Sequence, residues 1–448
     1  MFSRILVAAR GEIALRIIRA CKELGVQSVV AYSEADAGAL YLKLAEASIC
    51  IGPADSSQSY LNIPHIIAAA EVADVEAIHP GYGFLAEVAQ FAEVCRDCHI
   101  EFIGPSAETL RLMGNKAAAR QLAKKCGMPI VPGSEGAIEN EEDARTLARE
   151  IGFPVMIKAV AGGGGRGMRR ANNEMALLNH LAVARAEAES AFGDPSVYIE
   201  KVVERARHVE VQILADPRGR VIHLGERDCS LQRRHQKLIE EAPCPVITPK
   251  LRRRLGDDAV RLATAAKYHG AGTVEFLVDP DNNHYFIEMN CRIQVEHPVT
   301  EMVTGVDLVK QQILIAAGER LPFRQEDIKI SGAAIECRIN AEDPKDGFKP
   351  NPGLITRFFA PGGPGVRLDT HAHAGYRIPP NYDSLIAKLI VHRADREEAR
   401  LCMRRALEEF VIEGVKTTIP LYLEVFGHSA FVSGRIDTTF IESLGHER

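Results

Sequence analysis

Residues 285–297 read Tyr-Phe-Ile-Glu-Met-Asn-Cys-Arg-Ile-Gln-Val-Glu-His. Glu288, Asn290, Arg292, Gln294 and Glu296 alternate with Ile287, Met289, Cys291, Ile293 and Val295. Side chains of a strand point to alternate faces, so one face is predicted to pack while the other carries an unbroken polar row. A solvated edge would show the same alternation. It would not explain a matching carboxylate on the partner strand, Gly272 to Val278, which is joined through residues 279–283. A turn centred between Asp281 and Asn282 sets Glu275 opposite Glu288. Like charges so placed destabilise a sheet. A bridging divalent cation removes the conflict, and Asn290 offers a further oxygen. Magnesium prefers one or two carboxylates plus substrate phosphates, so the pattern predicts a Mg²⁺-nucleotide site. Fully extended, Glu288 to Glu296 would span about 26 Å at roughly 3.3 Å per residue. The chain must therefore bend after Asn290, giving a metal site at 275, 288 and 290 and an anion or acid–base site at 292–296.

Two other segments carry chemistry. Residues 158–168 hold Lys158, four consecutive glycines, Arg166, Gly167 and Met168. Glycine lets backbone N–H groups close over phosphates. No Gly-Lys-Ser or Gly-Lys-Thr occurs, which excludes a P-loop. The formal G-x-G-x-x-G at Gly162, Gly164 and Gly167 is followed by a strand-like Met168-Arg169-Arg170 rather than a helix, so it is not a dinucleotide fingerprint. A hairpin lid over phosphates fits better; a flexible surface turn is the alternative. Residues 226–237, Glu226 to Lys237, are dense in charge and offer cations to an anionic substrate.

The elements that position these residues begin as a βαβ series. Ile5 to Ala9, Ser28 to Tyr32, Val75 to Ile78 and Glu101 to Ile103 read as strands, and 11–25, 64–73 and 84–98 as helices, which predicts a parallel sheet covered by helices. Residues 106–126 read as helix broken near Gly114. Pro129, Pro132, Gly133 and Gly136 mark a linker. A small module follows with strands Phe153 to Ala159 and Val197 to Val203 and a helix near 174–190. Strands become long and antiparallel in character from about 207. Thr248-Pro249 starts a helix predicted to run to Gly270. Residues 332–442 mix strands and helices.

Composition sets the frame. At 448 residues the chain exceeds one ordinary core. A net charge of -6 lacks the basic footprint of nucleic-acid binding; Arg252, Arg253 and Arg254 read as a solvated helix face. No apolar run approaches the roughly 20 residues of a membrane helix, and the N-terminal apolar stretch is too brief for a signal peptide, so a cytoplasmic location is expected. The ten cysteines are scattered, unlike a disulfide framework. Cys95 and Cys98 lack a second ligand pair and read as packing.

The chain closely resembles the biotin carboxylase subunit of acetyl-CoA carboxylase and its relatives, which are ATP-grasp enzymes. The resemblance rests on Arg10-Gly11-Glu12-Ile13-Ala14, His79 to Leu85, Phe102-Ile103-Gly104-Pro105, the glycine loop, Arg207-His208-Val209-Glu210, Glu226 to Lys237, Glu288 to Thr300, Glu336 to Asp343 and Pro380 to Ser384. It covers essentially the whole chain. It implies an α/β protein with a Rossmann-like parallel-sheet domain at 1–113, an ATP-grasp region at 114–330 with a mobile lid about 131–203, and a mixed α+β domain at 331–448.

The resemblance also implies a reaction. Bicarbonate attacks the γ-phosphate of ATP to give carboxyphosphate, which yields CO₂ and phosphate, and the phosphate deprotonates biotin N1′. Position by position, Lys116, Lys158, Gly164, Gly165, Glu200, Lys201, Val203, His208, Gln232 and His235 would hold ATP, with Glu275 and Glu288. Glu275, Glu288 and Asn290 would bind two Mg²⁺ or Mn²⁺ ions. Lys237, Arg292, Gln294 and the Val295 backbone would hold bicarbonate, and Glu296 would deprotonate it. A carboxylate beside Arg292 and Lys237 is expected to be ionised. Arg338 would stabilise the biotin enolate, with Tyr82 also on the biotin. Taken singly, Arg338 reads equally as an ion-pair partner of Glu336 or Asp343, and His208 and His235 as core histidines.

No Met-Lys-Met biotinylation sequence occurs, so biotin is expected on a separate carrier protein, with separate carboxyltransferase subunits and a homodimeric assembly. Departures from the family are Asn115 before Lys116, Ala86 and Val88 for polar residues near the biotin-facing loop, Val160-Ala161 for Ser-Gly at the lid, Cys244 and Cys291. Rival readings are another ATP-grasp ligase, of the carbamoyl phosphate synthetase kind, and a catalytically silent ATP-binding regulatory subunit.

Overall fold

The computed structural model describes residues 1–160 and 168–445. Gly164, Gly165 and Ala161 lie outside the described residues. Short apolar strands at Arg4–Val7, Gln27–Tyr32, Ala47–Cys50, Ala77–His79 and Glu101–Phe102 form a five-stranded parallel sheet. The helix Gly11–Glu23 buries Ile13, Ile17 and Ile18 against it. Ala47–Cys50 escaped the sequence reading because this edge strand is mostly exposed and lacks an apolar run.

Two helices are shorter than their sequence pattern. The one expected over 84–98 spans Ala89–Asp97. Phe84 takes a φ of +38°, and its ring stacks on Tyr60 with centroids 4.7 Å apart, so residues 84–87 turn instead of coiling. The helix capped by Thr248 ends at Ala265. Gly270, at φ +91°, already opens the strand Gly270–Val278. The break near Gly114 is present, between helices Ala107–Gly114 and Lys116–Lys125.

In the small module, Val155–Ala159 lies between Arg169–Ala171 and Val197–Lys201 in an antiparallel sheet. Helices Glu141–Ile151 and Glu174–Phe192 contribute Ala144, Ala148, Leu177 and Leu181 to its core.

The site rests on an eight-stranded antiparallel sheet. Its order is His284–Asn290, Gly270–Val278, Arg207–Ala215, Val221–Arg233, Gln236–Ala242, Ala333–Asn340, Leu385–Arg393 and Val366–Thr370. This sheet runs across residue 330, where the sequence set a boundary. Gln236–Ala242 pairs with Ala333–Asn340, so residues far apart in sequence share one face.

Among the described residues no helix is long and apolar enough to cross a membrane. Cys95 is buried and Cys98 half-buried, and among the described residues neither joins a group able to hold a metal. Arg253 and Arg254 are exposed as expected, but Arg252 Nη2 lies 2.7 Å from the buried Glu226.

Candidate active site

One cleft of about 1230 Å³ is lined by every described residue that the sequence assigned to the site. Its metal end follows from the hairpin register: Glu275 stands opposite Glu288, and Asn290 opposite Thr273. The register holds for a reason the sequence did not show. The first pair is Val278 with His284, which centres the turn on Asp281, and a shift between Glu275 and Phe276 moves the pairing by one residue. After Asn290 the strand ends, and the chain bends into the helix His297–Thr304. The polar row is thereby folded back onto itself.

Lys237 sits at the centre. Its Nζ donates to Glu210 Oε2 at 2.5 Å, Glu296 Oε1 at 2.6 Å and Glu275 Oε1 at 3.0 Å. Arg338 Nη2 donates to Glu296 Oε2 at 2.9 Å, and its Nε to Glu240 Oε1 at 2.6 Å. Burial pushes the Glu296 carboxyl up, but Lys237, Arg338 and Arg227 outweigh it and hold Glu296 well below the usual carboxylate range. The same opposition, with Lys237 and His208 as the cations, lowers Glu275. Burial pulls His208 down, and Glu275, 2.8 Å from its Nε2, overrides this and raises it.

Several expectations need correction. Arg292 feels the Glu296 charge but makes no ion pair with it. Its Nε donates to Glu87 Oε2 at 2.8 Å and its Nη2 to Asn290 Oδ1 at 3.0 Å, and Arg338 takes the place beside the base. Arg338 pairs with neither Glu336 nor Asp343; the latter binds Lys416. His208 and His235 are not core histidines, since one faces Glu275 in the cleft and the other is exposed at its edge. Within 226–237, Arg227 is no substrate cation. It is 0% exposed and donates to Glu210, Gln212, Thr273, Gln294 and Thr300. Ala86 is buried, so it removes no polar group from the cleft, and Val88 is the N-cap of Ala89–Asp97 without a side-chain cap.

At the nucleotide end, Lys158 Nζ lies 2.5 Å from Glu200 Oε2, and Arg120 binds the other oxygen. Lys116 Nζ lies 3.7 Å from Glu288 Oε2, and Gln232 is buried in the long strand at the cleft wall. The Lys201 ammonium points away from phosphate duty: it donates to the Gly152 and Phe153 carbonyls at 3.0 and 2.8 Å. Lys201 and Val203 both line the cleft, and the Lys201 N–H donates to the Pro132 carbonyl at 2.8 Å. Gln294 Nε2 donates to Glu275 Oε1 at 2.8 Å and its Oε1 accepts from Arg227. The Tyr82 hydroxyl donates to Glu12. Glu87, Glu210 and Glu240 were missed as site residues, though Glu210 stands inside the Arg207-His208-Val209-Glu210 segment, and Arg227 holds the site together instead of meeting substrate.

A divalent cation fits Glu275, Glu288 and Asn290, because two opposed carboxylates and an amide oxygen make a hard-oxygen donor set. A tighter group, His208, Glu210 and Glu275, gathers ligand atoms within 4.8 Å. In both groups the oxygens already have partners: Glu210 binds Arg227 and Lys237, Glu275 binds Lys237 and His208, and Asn290 Oδ1 accepts from Arg292.

Comparison with known proteins gives the family. Residues 1–110 match the family model for the biotin carboxylase N-terminal domain and 336–443 that for the biotin carboxylase C-terminal domain. Residues 115–324 match the carbamoyl-phosphate synthase L chain ATP-binding domain. Biotin carboxylase 1 of Bacillus subtilis is 55% identical over 444 residues, 99% of each chain. A biotin carboxylase–nucleotide complex from Campylobacter jejuni superimposes with a TM-score of 0.97 at 51% identity, covering 99% of both chains. The biotin carboxylase domain dimer of Hydrogenobacter thermophilus 2-oxoglutarate carboxylase, bound to MgADP, ADP and bicarbonate, gives 0.96 at 51% identity, covering 100% of this chain and 98% of that one.

Proposed function

The chain belongs to the biotin carboxylase family, and from that premise we propose that it uses ATP to join bicarbonate to biotin borne on a separate carrier protein. The observation that carries this reading is the carboxylate of Glu296, held between Lys237 and Arg338 in the cleft that also contains the Glu275–Glu288 pair. A carbamoyl phosphate synthetase-like ligase shares the central ATP-binding unit, but both flanking regions match biotin carboxylase. A silent regulatory subunit would have no need of the Glu296 cluster.

Glu296 takes the proton of bicarbonate, whose oxygen attacks the γ-phosphorus of ATP while the bond to ADP breaks. Arg292, Gln294 and the Val295 N–H orient the anion, and Lys237 balances its charge. Lys116, Lys158 and His208 neutralise phosphate oxygens, and Glu200, Gln232, His235 and the backbone at Lys201 and Val203 hold the rest of the nucleotide. A divalent ion at Glu275, Glu288 and Asn290 would supply further charge neutralisation, which is most of what phosphoryl transfer asks of a protein. Carboxyphosphate breaks down to CO₂ and phosphate, phosphate accepts the N1′ proton of biotin, and the nitrogen attacks CO₂. Arg338 carries the enolate charge, with Tyr82 beside the ring.

The proposal extends to three functional parts at 1–113, 114–330 and 331–448, a homodimer, and carboxyltransferase subunits that select the acyl-CoA or 2-oxo acid acceptor. Labelled bicarbonate tests the reaction. MgATP-dependent transfer of acid-labile label to a biotinylated carrier supports it, and ATP turnover that leaves the carrier unlabelled refutes it.

A further inference from the structure

Lys388, on the strand Leu385–Arg393, has a side chain 0% exposed. Its Nζ donates to the Val295 carbonyl at 2.9 Å and lies 3.1 Å from Glu12 Oε1. The same Glu12 oxygen accepts from the Tyr82 hydroxyl, and Glu12 Oε2 has no hydrogen-bond partner among the described residues. A buried ammonium is tolerated only when its charge and donors are used, so these contacts are fixed features of the fold.

Their placement is selective. Lys388 pairs with Arg338 on one neighbouring strand and with Asp369 on the other, so it shares a sheet face with the guanidinium that binds Glu296. The Val295 oxygen belongs to the peptide unit that joins Val295 to Glu296. A peptide is planar, so anchoring that oxygen fixes the plane that carries the Glu296 Cα and so restrains where its side chain starts. Glu12 lies in the first turn of Gly11–Glu23, and Tyr82 lies in the loop after Ala77–His79. One ammonium thus links the base-bearing peptide to the loop of Tyr82, across two sheets.

We infer that Lys388 and Glu12 are positioning residues that couple the base Glu296 to Tyr82, through the Val295–Glu296 peptide on one side and the tyrosine hydroxyl on the other. The inference rests on the roles given above to Glu296 and Tyr82. Neither positioning residue touches the reacting atoms; a displaced base alone is enough to slow the reaction.

The test uses full-length Lys388→Met, Glu12→Gln and the double variant, with thermal midpoints and bicarbonate-dependent ADP release in the presence of free biotin. Lys388→Met strands the Glu12 charge and lowers the midpoint; the double variant removes both charges and recovers it. Positioning predicts that the double variant keeps its MgATP KM within about twofold while kcat falls about 100-fold and bicarbonate KM rises about tenfold. A double variant that regains wild-type kcat and bicarbonate KM along with its midpoint would overturn the inference. Glu12→Gln, nearly isosteric, reports separately: its KM for biotin rises about tenfold with MgATP KM unchanged, and an unchanged biotin KM overturns the Tyr82 branch. A wild-type protein without bicarbonate-dependent turnover would sink the reading of Glu296 itself, whatever the variants do.

Discussion

Glu275 and Glu288 stand directly opposite each other on adjacent antiparallel strands, two carboxylates where a sheet normally avoids like charges. Lys237 and His208 hold Glu275 from one side, and Lys116 approaches Glu288 from the other. A cation shared by both carboxylates with substrate phosphates would relieve that repulsion.

Metal removal follows from it. Chelation of Mg²⁺ is expected to abolish ADP release, and its return to restore it. Glu288→Gln should raise the Mg²⁺ concentration for half-maximal rate by about tenfold or more. A variant with unchanged Mg²⁺ dependence would remove Glu288 from the metal site.

Glu296→Gln keeps shape but cannot accept the proton. Its bicarbonate-dependent kcat is expected to fall by about 10² to 10⁴, the usual range for general-base catalysis, with MgATP KM within about twofold. Steady-state ADP release at varied ATP and bicarbonate checks both numbers.

Much of this site was legible, and its limits have a physical cause. Alternation along 285–297 brought Glu275 and Glu288 together because hairpin partners are local in sequence, but the expected turn centre was half a residue off and the shift between Glu275 and Phe276 restored the pair. Of the partners of Glu296, Lys237 was expected beside it and is there, but Arg338 was not legible. Arg338 reaches it only because Gln236–Ala242 pairs with Ala333–Asn340 in the shared sheet, a long-range register that no local pattern encodes. Arg292 was drawn off by Glu87 for the same reason. Arg227 reads as a surface cation by residue type, and only the sheet shows it wholly enclosed by hydrogen-bond acceptors. Helix ends erred where backbone conformation overrode apolar spacing, as at Phe84 and Gly270.

Glu336 gives a pH-dependent stability. It is 0% exposed, lies opposite Glu240, and neither of its oxygens has a hydrogen-bond partner among the described residues. Burial holds its carboxyl well above the usual range, against the pull of Lys388, and burial likewise pushes Glu240 up to about 7. Below about pH 4 the group is protonated in both folded and unfolded chains. As pH rises past that value the unfolded chain ionises first, so wild-type stability is lost until pH passes the folded value. Glu336→Gln removes this loss. Urea unfolding should find the variant gaining on the wild type as pH rises from about 4, by about 1.4 kcal/mol for each tenfold difference in proton affinity. A difference independent of pH would contradict the assignment.

Val88 caps the helix Ala89–Asp97 with extended backbone and no side-chain acceptor. Val88→Asn should supply one and stabilise the protein by about 1 kcal/mol, read as a higher urea midpoint at unchanged slope.

The central claim is tested most directly by ADP release from purified protein with MgATP and bicarbonate, with and without biotin, alongside Glu296→Gln and Arg338→Ala. Release is expected to require bicarbonate, to rise with biotin and to fall in both variants. Bicarbonate-dependent hydrolysis indifferent to biotin, in an assay where a known biotin carboxylase responds, would contradict it.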